Sequence, residues 1–389
     1  GKNKKSVARN NKVYELYKNR MGGAANELFA QFMIRIIYEI PSCVLANFSK
    51  LKNLQAPNFQ NFRANFRAKL CRIFLVPSTT FDNVKGSFPI AFMVWDTNKK
   101  EDFTHIYADV YDKDSNKILD KGLYAPQKGL LLMDWLRSFY DKVNPRIAYL
   151  RMLGSDMQNN NGVFLTDSPS LSDLKQKKTC DVTRYNVTPI CVYFAVRHSI
   201  EAVWLNDRDQ YVCPKNTWKN DKEFQSDCIA FTLFCGQNRI RANGKENHWI
   251  PFTEQEVDAK DRFASRFMSD YLRGKYKPKH AEEGLFGDEE CYIPDSPVVF
   301  SEEAQEVMDA GRELWRYYHA QPGADPNASL YDIKGFFQGF KEGKDGKMKM
   351  NSESPDDTYM RIIKDLRSKL KVLAEKIEPK VYEHGFLKK

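Results

Sequence analysis

Residues able to do chemistry are spread through this 389-residue chain without the spacing of a familiar reaction centre. No Gly-x-Gly-x-x-Gly, no P-loop pattern and no His-Glu-x-x-His occurs. The six histidines are scattered, with no two within one helical turn. Asp112, Asp114 and Asn116 alternate as in a calcium loop, but the required Gly and bidentate Glu are missing, so no metal is expected. Asp207 and Asp209 flank Arg208 and read as an ion network at a surface or helix end rather than an acid pair. The informative residue is Phe81. It stands in the polar loop Ser78–Ser87, between two short apolar runs, Leu70–Val76 and Phe88–Trp95. Either it folds back onto the core, or it stacks on a planar ligand such as a base.

Charge supplies the second signal. Residues 1–72 carry 14 Lys and Arg against three acids (Glu15, Glu27, Glu39), whereas the rest of the chain has 46 basic and 48 acidic residues. A concentrated positive segment on a near-neutral body suits a polyanion. It also suits a plain solubilising surface, and charge alone does not separate the two. The candidate phosphate contacts are Lys2, Lys4, Lys5, Arg9, Lys12, Lys18 and Arg20 in a basic arm or loop, with Arg63 and Arg67 four residues apart on one face of a helix.

The elements that must position these residues follow from periodicity. Asn26 can cap a helix to about Ile40 whose apolar face is Leu28, Phe29, Phe32, Met33, Ile36, Ile37 and Ile40. Cys43–Phe48 reads as a strand, Asn58–Lys69 as a helix with Phe59, Phe62 and Phe66 on one side, and the two apolar runs as an antiparallel strand pair. Helix, strand, helix, strand, strand indicates an open α/β sheet. Further on, strands at Phe103–Val110 and Lys117–Leu119 surround a turn. Helices are expected at Gly129–Val143, Thr188–Leu205, Glu223–Cys235 and Glu254–Arg273. The amide-rich loop Gly154–Gly162 reads as a solvated turn, Lys275–Pro297 as a linker and Gln338–Ser354 as loose chain. Ser301 caps one late helix, and Ser354-Pro355 opens a last one that Pro379 ends. The eight cysteines lack Cys-x-x-Cys spacing and read as free, mostly buried thiols of a cytoplasmic protein. No apolar run approaches membrane-spanning length.

On these residues the stretch Glu27–Asp96 resembles the second half of the catalytic domain of adenine-N6 DNA methyltransferases of restriction–modification systems. In that family a helix like NELFAQFMIRIIYEIP (Asn26–Pro41) and a strand are followed by a helix like FQNFRANFRAKL (Phe59–Leu70). Strands like IFLVPSTTF (Ile73–Phe81) and FPIAFMVWD (Phe88–Asp96) come next. WLNDRDQ, HWIPFTEQEV, AGRELWRYYH and NASLYDIKGFFQG extend the resemblance along most of the chain.

The resemblance implies a Rossmann-like fold and methyl transfer from S-adenosylmethionine to a flipped adenine in double-stranded DNA, with Phe81 matching the aromatic that stacks on that base. The family's glycine-rich cofactor motif and its Asn-Pro-Pro-Tyr do not occur here. The chain is therefore expected to be inactive and to bind no cofactor alone, as a truncated gene or one part of a split enzyme. The organisation this implies is the C-terminal half of a catalytic domain with a basic loop over residues 1–100, an α+β region reading DNA over 101–275, and a helical region over 276–389. The alternative is a non-catalytic specificity module serving a separate catalytic subunit.

Overall fold

A computed structural model describes residues 7–40, 42–242, 246–276, 292–343 and 346–388. Two hydrophobic cores organise them.

The first core lies on one face of a five-stranded mixed sheet. Its strands are β1 (Val44–Lys50), β2 (Lys69–Pro77), β3 (Pro89–Asp96), β4 (His105–Tyr111) and β5 (Lys117–Tyr124), in the order β1-β3-β2-β4-β5. β3 runs antiparallel between β1 and β2, so those two point the same way. β4 is parallel to β2, and β5 folds back antiparallel on β4. Leu45, Ile73, Leu75, Ala91, Met93, Trp95, Ala108, Val110 and Leu123 alternate inward and are buried.

Helices α1 (Lys12–Met21), α2 (Leu28–Glu39) and α3 (Gln60–Asn65) belong to the same unit. Phe59, Phe62 and Phe66 are buried together, with Phe66 edge-on to Trp95 at 5.2 Å. The opposite sheet face is open. Val44 is 68%, Phe48 52% and Tyr107 65% exposed. A mostly antiparallel sheet of this kind commonly leaves one face in solvent.

Several sequence expectations change here. Residues 7–25 are not a loose arm. Asn11 caps α1 by accepting from the Tyr14 N–H, Ala8 and Met21 are buried, and the buried Gln31 amide donates to the carbonyls of Ala8 and Ala25. Asn26 closes a 3-10 turn instead of capping α2. Three of the seven residues of the expected apolar face of α2, Leu28, Phe32 and Ile40, are exposed, because Ala30, Met33 and Ile34 take the core side. α3 ends at Asn65, since the strand pairing of β2 begins at Lys69, so Arg67 lies beyond the helix.

The second core surrounds α4 (Val187–His198), which is buried on every side from Val187 to Arg197 and is therefore central rather than amphipathic. Around it stand the small sheet of β6 (Arg146–Arg151), β7 (Phe164–Thr166) and β8 (Thr179–Thr183), and α5 (Lys222–Phe234). The helices α6 (Glu302–His319), α7 (Leu330–Gln338) and α8 (Asp357–Glu383) complete it. Lys376 of α8 reaches Glu223 at 2.8 Å, Glu303 at 2.9 Å and Asp227 at 3.4 Å, tying α5, α6 and α8 at one point.

β4 and β5, expected in the DNA-reading region, thus belong to the first sheet, while the C-terminal helices share a core with residues 132–272. The helix expected over 129–143 is confined to Leu132–Arg137, and that over 254–273 to the turn Gln255–Val257 and Phe267–Leu272. α4 stops at His198, and Gln338–Ser354 contains a hairpin, β9 (Phe340–Glu342) with β10 (Met348–Met350). Asp356, not Ser354, caps α8, which continues through Pro379. Most of the expected linker, residues 277–291, lies outside the described residues.

Candidate functional site at the carboxyl ends of β1 and β2

In open α/β sheets, ligands gather where the parallel strands end. β2 ends at Pro77, and a hydrogen-bonded knot closes the loop that follows. The Ser78 N–H donates to the Phe88 carbonyl at 2.9 Å, the Ser78 hydroxyl donates to the Gly86 carbonyl at 2.7 Å, and the Phe88 N–H donates back to that hydroxyl at 3.3 Å. Left-handed backbone at Asn83 and Gly86 turns the chain between these ties.

Phe81 follows the one-turn 3-10 helix Ser78–Thr80. Its ring is half-buried and meets Phe48 edge-on at 5.3 Å. Phe48 in turn contacts Phe92 at 4.8 Å and Phe74 at 6.2 Å, and Phe74 contacts Tyr111 at 5.9 Å. Phe81 therefore belongs to an aromatic group on the open sheet face, not to the core beneath the helices. At the end of β1 the Lys50 ammonium sits 3.9 Å above the Phe88 ring.

The described basic residues singled out by sequence meet separate partners. Arg9 donates to the Asn26 side chain at 2.8 Å, and Arg20 lies 4.3 Å over the Tyr38 ring. Lys12 is exposed, and Lys18 pairs with Glu15 at 2.6 Å. Arg67 pairs with Asp102 at 2.8 Å. Arg63 turns inward. It donates to the carbonyls of Asn53 and Ala56, and burial pulls its pKa down to about 10, so it serves the fold rather than a surface. Lys2, Lys4 and Lys5 lie outside the described residues.

Sequence reasoning underrated the segment Trp204–Tyr211. It is not a surface network but the hinge-pin between the two cores. Trp204 and Leu205 pack against the first core, whereas Tyr211 is buried in the second. Asp209 accepts from Lys121 at 2.6 Å and from the Gln55 amide at 3.2 Å, both of the first unit. Its backbone carbonyl accepts from the Met157 N–H, and that of Asp207 accepts from the Gln158 N–H. Residues 153–160 are fixed by Arg197, so this amide-rich loop is no solvated turn.

Arg208 reaches Asp156 at 3.5 Å and Asp207 at 3.6 Å. Burial, together with repulsion from Arg208 and Lys52, pushes the Lys50 pKa down, which places Lys50 and Arg208 in one electrostatic neighbourhood at the end of β1. The partners of Asp209 sit 88 and 154 residues away in sequence, a separation that no local pattern carries.

Burial pushes the Asp207 carboxyl up to about 6, with Arg208 only partly opposing. A carboxyl whose pKa is raised on folding favours the folded state most when protonated. Stability should therefore fall as pH rises from about 4 to 6, by roughly 1–2 kcal/mol after allowance for solvent. Unfolding by urea at these two pH values should show that slope in the wild type and a flatter one in Asp207→Asn. Equal slopes would refute the assignment.

The chain matches no family model, no curated protein and no solved structure.

Among the described residues no cluster of His, Cys, Asp or Glu could hold a metal ion, and no helix is long and apolar enough to cross a membrane. Asp112 instead closes the β4–β5 turn by accepting from the N–H groups of Asp114 and Asn116, both at 2.9 Å. Cys180, Cys191, Cys228 and Cys235 are buried free thiols whose pKa values burial raises. Cys71 is exposed.

Proposed function

We propose that this chain is the base-stacking and DNA-handling part of an S-adenosylmethionine-dependent adenine-N6 DNA methyltransferase of the restriction–modification kind, within a Rossmann-like sheet. The observation that carries the reading is Phe81. A partly exposed ring at the carboxyl end of a parallel strand, in a loop tied at its base by Ser78, is available for contact with something outside the chain. The order helix, strand, helix, strand, strand from α2 to β3 supports the resemblance that suggests a flipped adenine. The free edge and open face of β1 leave room for the sheet to be continued by another polypeptide segment.

The residues at the strand ends do not fit the methyl donor. The turn after β1 has no glycine cradle. No step through the donor is derived for this chain. The same misfit favours the second reading, a specificity module that binds DNA for a separate catalytic subunit.

The test is Phe81→Ala assayed together with a catalytic half. Because the ring is only half-buried, the melting transition should stay near that of the wild type. Methylation of a duplex carrying the target adenine should fall about tenfold or more, the scale of one lost base–aromatic stack. Phe81→Trp should retain activity. A large fall in melting temperature without a specific loss of methylation assigns Phe81 to packing and overturns the reading.

A further inference from the structure

The outward face of the small sheet carries a second basic surface. Beside β7 the chain 237–241 runs extended. The Leu165 N–H donates to the Gln237 carbonyl at 3.2 Å and the Arg239 N–H donates to the Leu165 carbonyl at 3.0 Å, which adds an edge to the sheet. Asn238 and Ile240 alternate inward and are buried, so Gln237, Arg239 and Arg241 take the outward side. The start of α7 clamps this edge: the Ser329 hydroxyl donates to the Ile240 carbonyl and the Ala242 N–H donates to Asp332 at 2.8 Å.

Phe164 of β7 lies between two guanidinium groups, Arg239 at 4.1 Å and Arg151 at 5.2 Å from its ring centre. Arg241 stands 4.5 Å over Tyr331, and the Lys334 ammonium lies within 3.9 Å of where a side chain on Gly236 would start. Asp173 holds Arg151 at 2.9 Å and the Asp167 carboxylate accepts from the Arg241 backbone N–H at 3.3 Å, while the Arg239, Arg241 and Lys334 side chains make no ion pair with a described residue. The cations feel one another: burial and then Arg151 depress Arg239, while burial, Arg367 and Arg239 depress Lys334. Like charges gathered at a partly buried face with fewer counter-charges are costly, and a polyanion lowers that cost.

We propose that this face, with Phe164 between Arg151 and Arg239, Arg241 on Tyr331, and Lys334 beside Gly236, binds the sugar-phosphate backbone of DNA. Guanidinium groups held in place by aromatic rings along one strand edge suit the regularly spaced phosphates of a duplex, which each can contact by paired N–H groups. The inference rests on the reading that the protein acts on DNA, but it concerns residues remote in sequence from Phe81.

The experiment compares wild type with Arg239→Gln/Arg241→Gln, using a fluorescent duplex of arbitrary sequence and a salt series, with melting temperature measured in parallel. The expected result is a loss of affinity of about tenfold or more at low salt. The slope of log affinity against log salt should become shallower by about 2, since each phosphate contact contributes roughly 0.9. Arg239→Lys/Arg241→Lys should keep most of the slope. An unchanged slope and affinity in a double-Gln variant that melts normally overturns the surface while leaving the DNA reading intact. A wild type with no duplex affinity at any salt overturns both. Loss of polyglutamate binding with duplex binding unchanged would assign the face to an acidic protein instead. Phe81→Ala should lower methylation without altering the salt slope, which keeps the two sites distinguishable.

Discussion

Replacing Arg197 by Met should lower the free energy of unfolding by about 3–5 kcal/mol, the scale of leaving several buried hydrogen-bond acceptors without a donor. Arg197 is fully buried, and no carboxylate accepts from it. An arginine has five N–H donors, and the surroundings answer all of them. Nε donates to the Asn160 side chain at 2.8 Å; one terminal nitrogen donates to the Gly154 carbonyl at 2.9 Å and the Tyr193 hydroxyl at 3.3 Å; the other donates to the carbonyls of Leu153 at 3.4 Å and Asp156 at 3.2 Å. The Tyr211 ring covers the guanidinium at 4.9 Å.

Met fills much of the space but leaves these carbonyls without a donor. Lys, with three donors and no planar fork, should recover only part of the loss. Urea unfolding measures both variants, and a Met variant within about 1 kcal/mol of wild type would contradict the argument. Hydrogen exchange adds a second readout. The Met157 and Gln158 amides, which bond the Asp209 and Asp207 carbonyls, should exchange faster before the rest of the second core does.

The second large effect is expected at Lys121→Met. Lys121 is the cation facing Asp209, and both are largely buried between the cores. Without it, Asp209 keeps only the Gln55 amide, and about 2–4 kcal/mol should be lost at neutral pH. Burial already raises the Asp209 pKa despite Lys121, and removing the lysine raises it further. A raised carboxyl pKa means stability present at low pH and lost as pH climbs through the folded value. The gap between variant and wild type should therefore be smaller at about pH 4 than at pH 7. Lys121→Met with Asp209→Leu should restore most of the stability, because the pair is replaced by apolar contact. A double variant as unstable as the single would show that the geometry of the segment, rather than its buried charge, carries the effect. Loss of the pair should also split unfolding into two transitions, since this segment joins the cores.

Local chemistry in the sequence foretold several elements. Ser301 caps α6, the Phe59, Phe62, Phe66 spacing marks a buried stripe, and the runs either side of Phe81 pair antiparallel. Each depends on neighbours a few residues away. What failed depends on distant partners. The period of α2 predicts two faces but not that Leu28 and Phe32 would stay in solvent. Pro379 predicts a stop worth about 3 kcal/mol. However, Val381, Phe386 and Leu387 are buried beyond it, and apolar side chains gain about 1.5–3 kcal/mol each on burial. The helix therefore continues. The polar loop at Phe81 was legible as the connection between two paired strands. The hinge-pin at Asp209 was not, because an Asp-Arg-Asp run looks the same whether its partners are water or a lysine on β5.

The place of β3 between β1 and β2 sets an order of events during synthesis. Among the described residues β1 has no other strand beside it, so none of them pairs with Val44–Lys50 until Pro89–Asp96 has emerged from the ribosome. β2 meets β3 through a short loop whose base Ser78 fastens, whereas β1 must wait for a partner some forty residues later. Short-range pairings form first because they close smaller loops. The β2–β3 hairpin is thus the seed, and β1 with its exposed Phe48 is the last strand of the trio to dock. In the interval Phe48 is unprotected, and this is the stage at which a nascent chain most needs a chaperone.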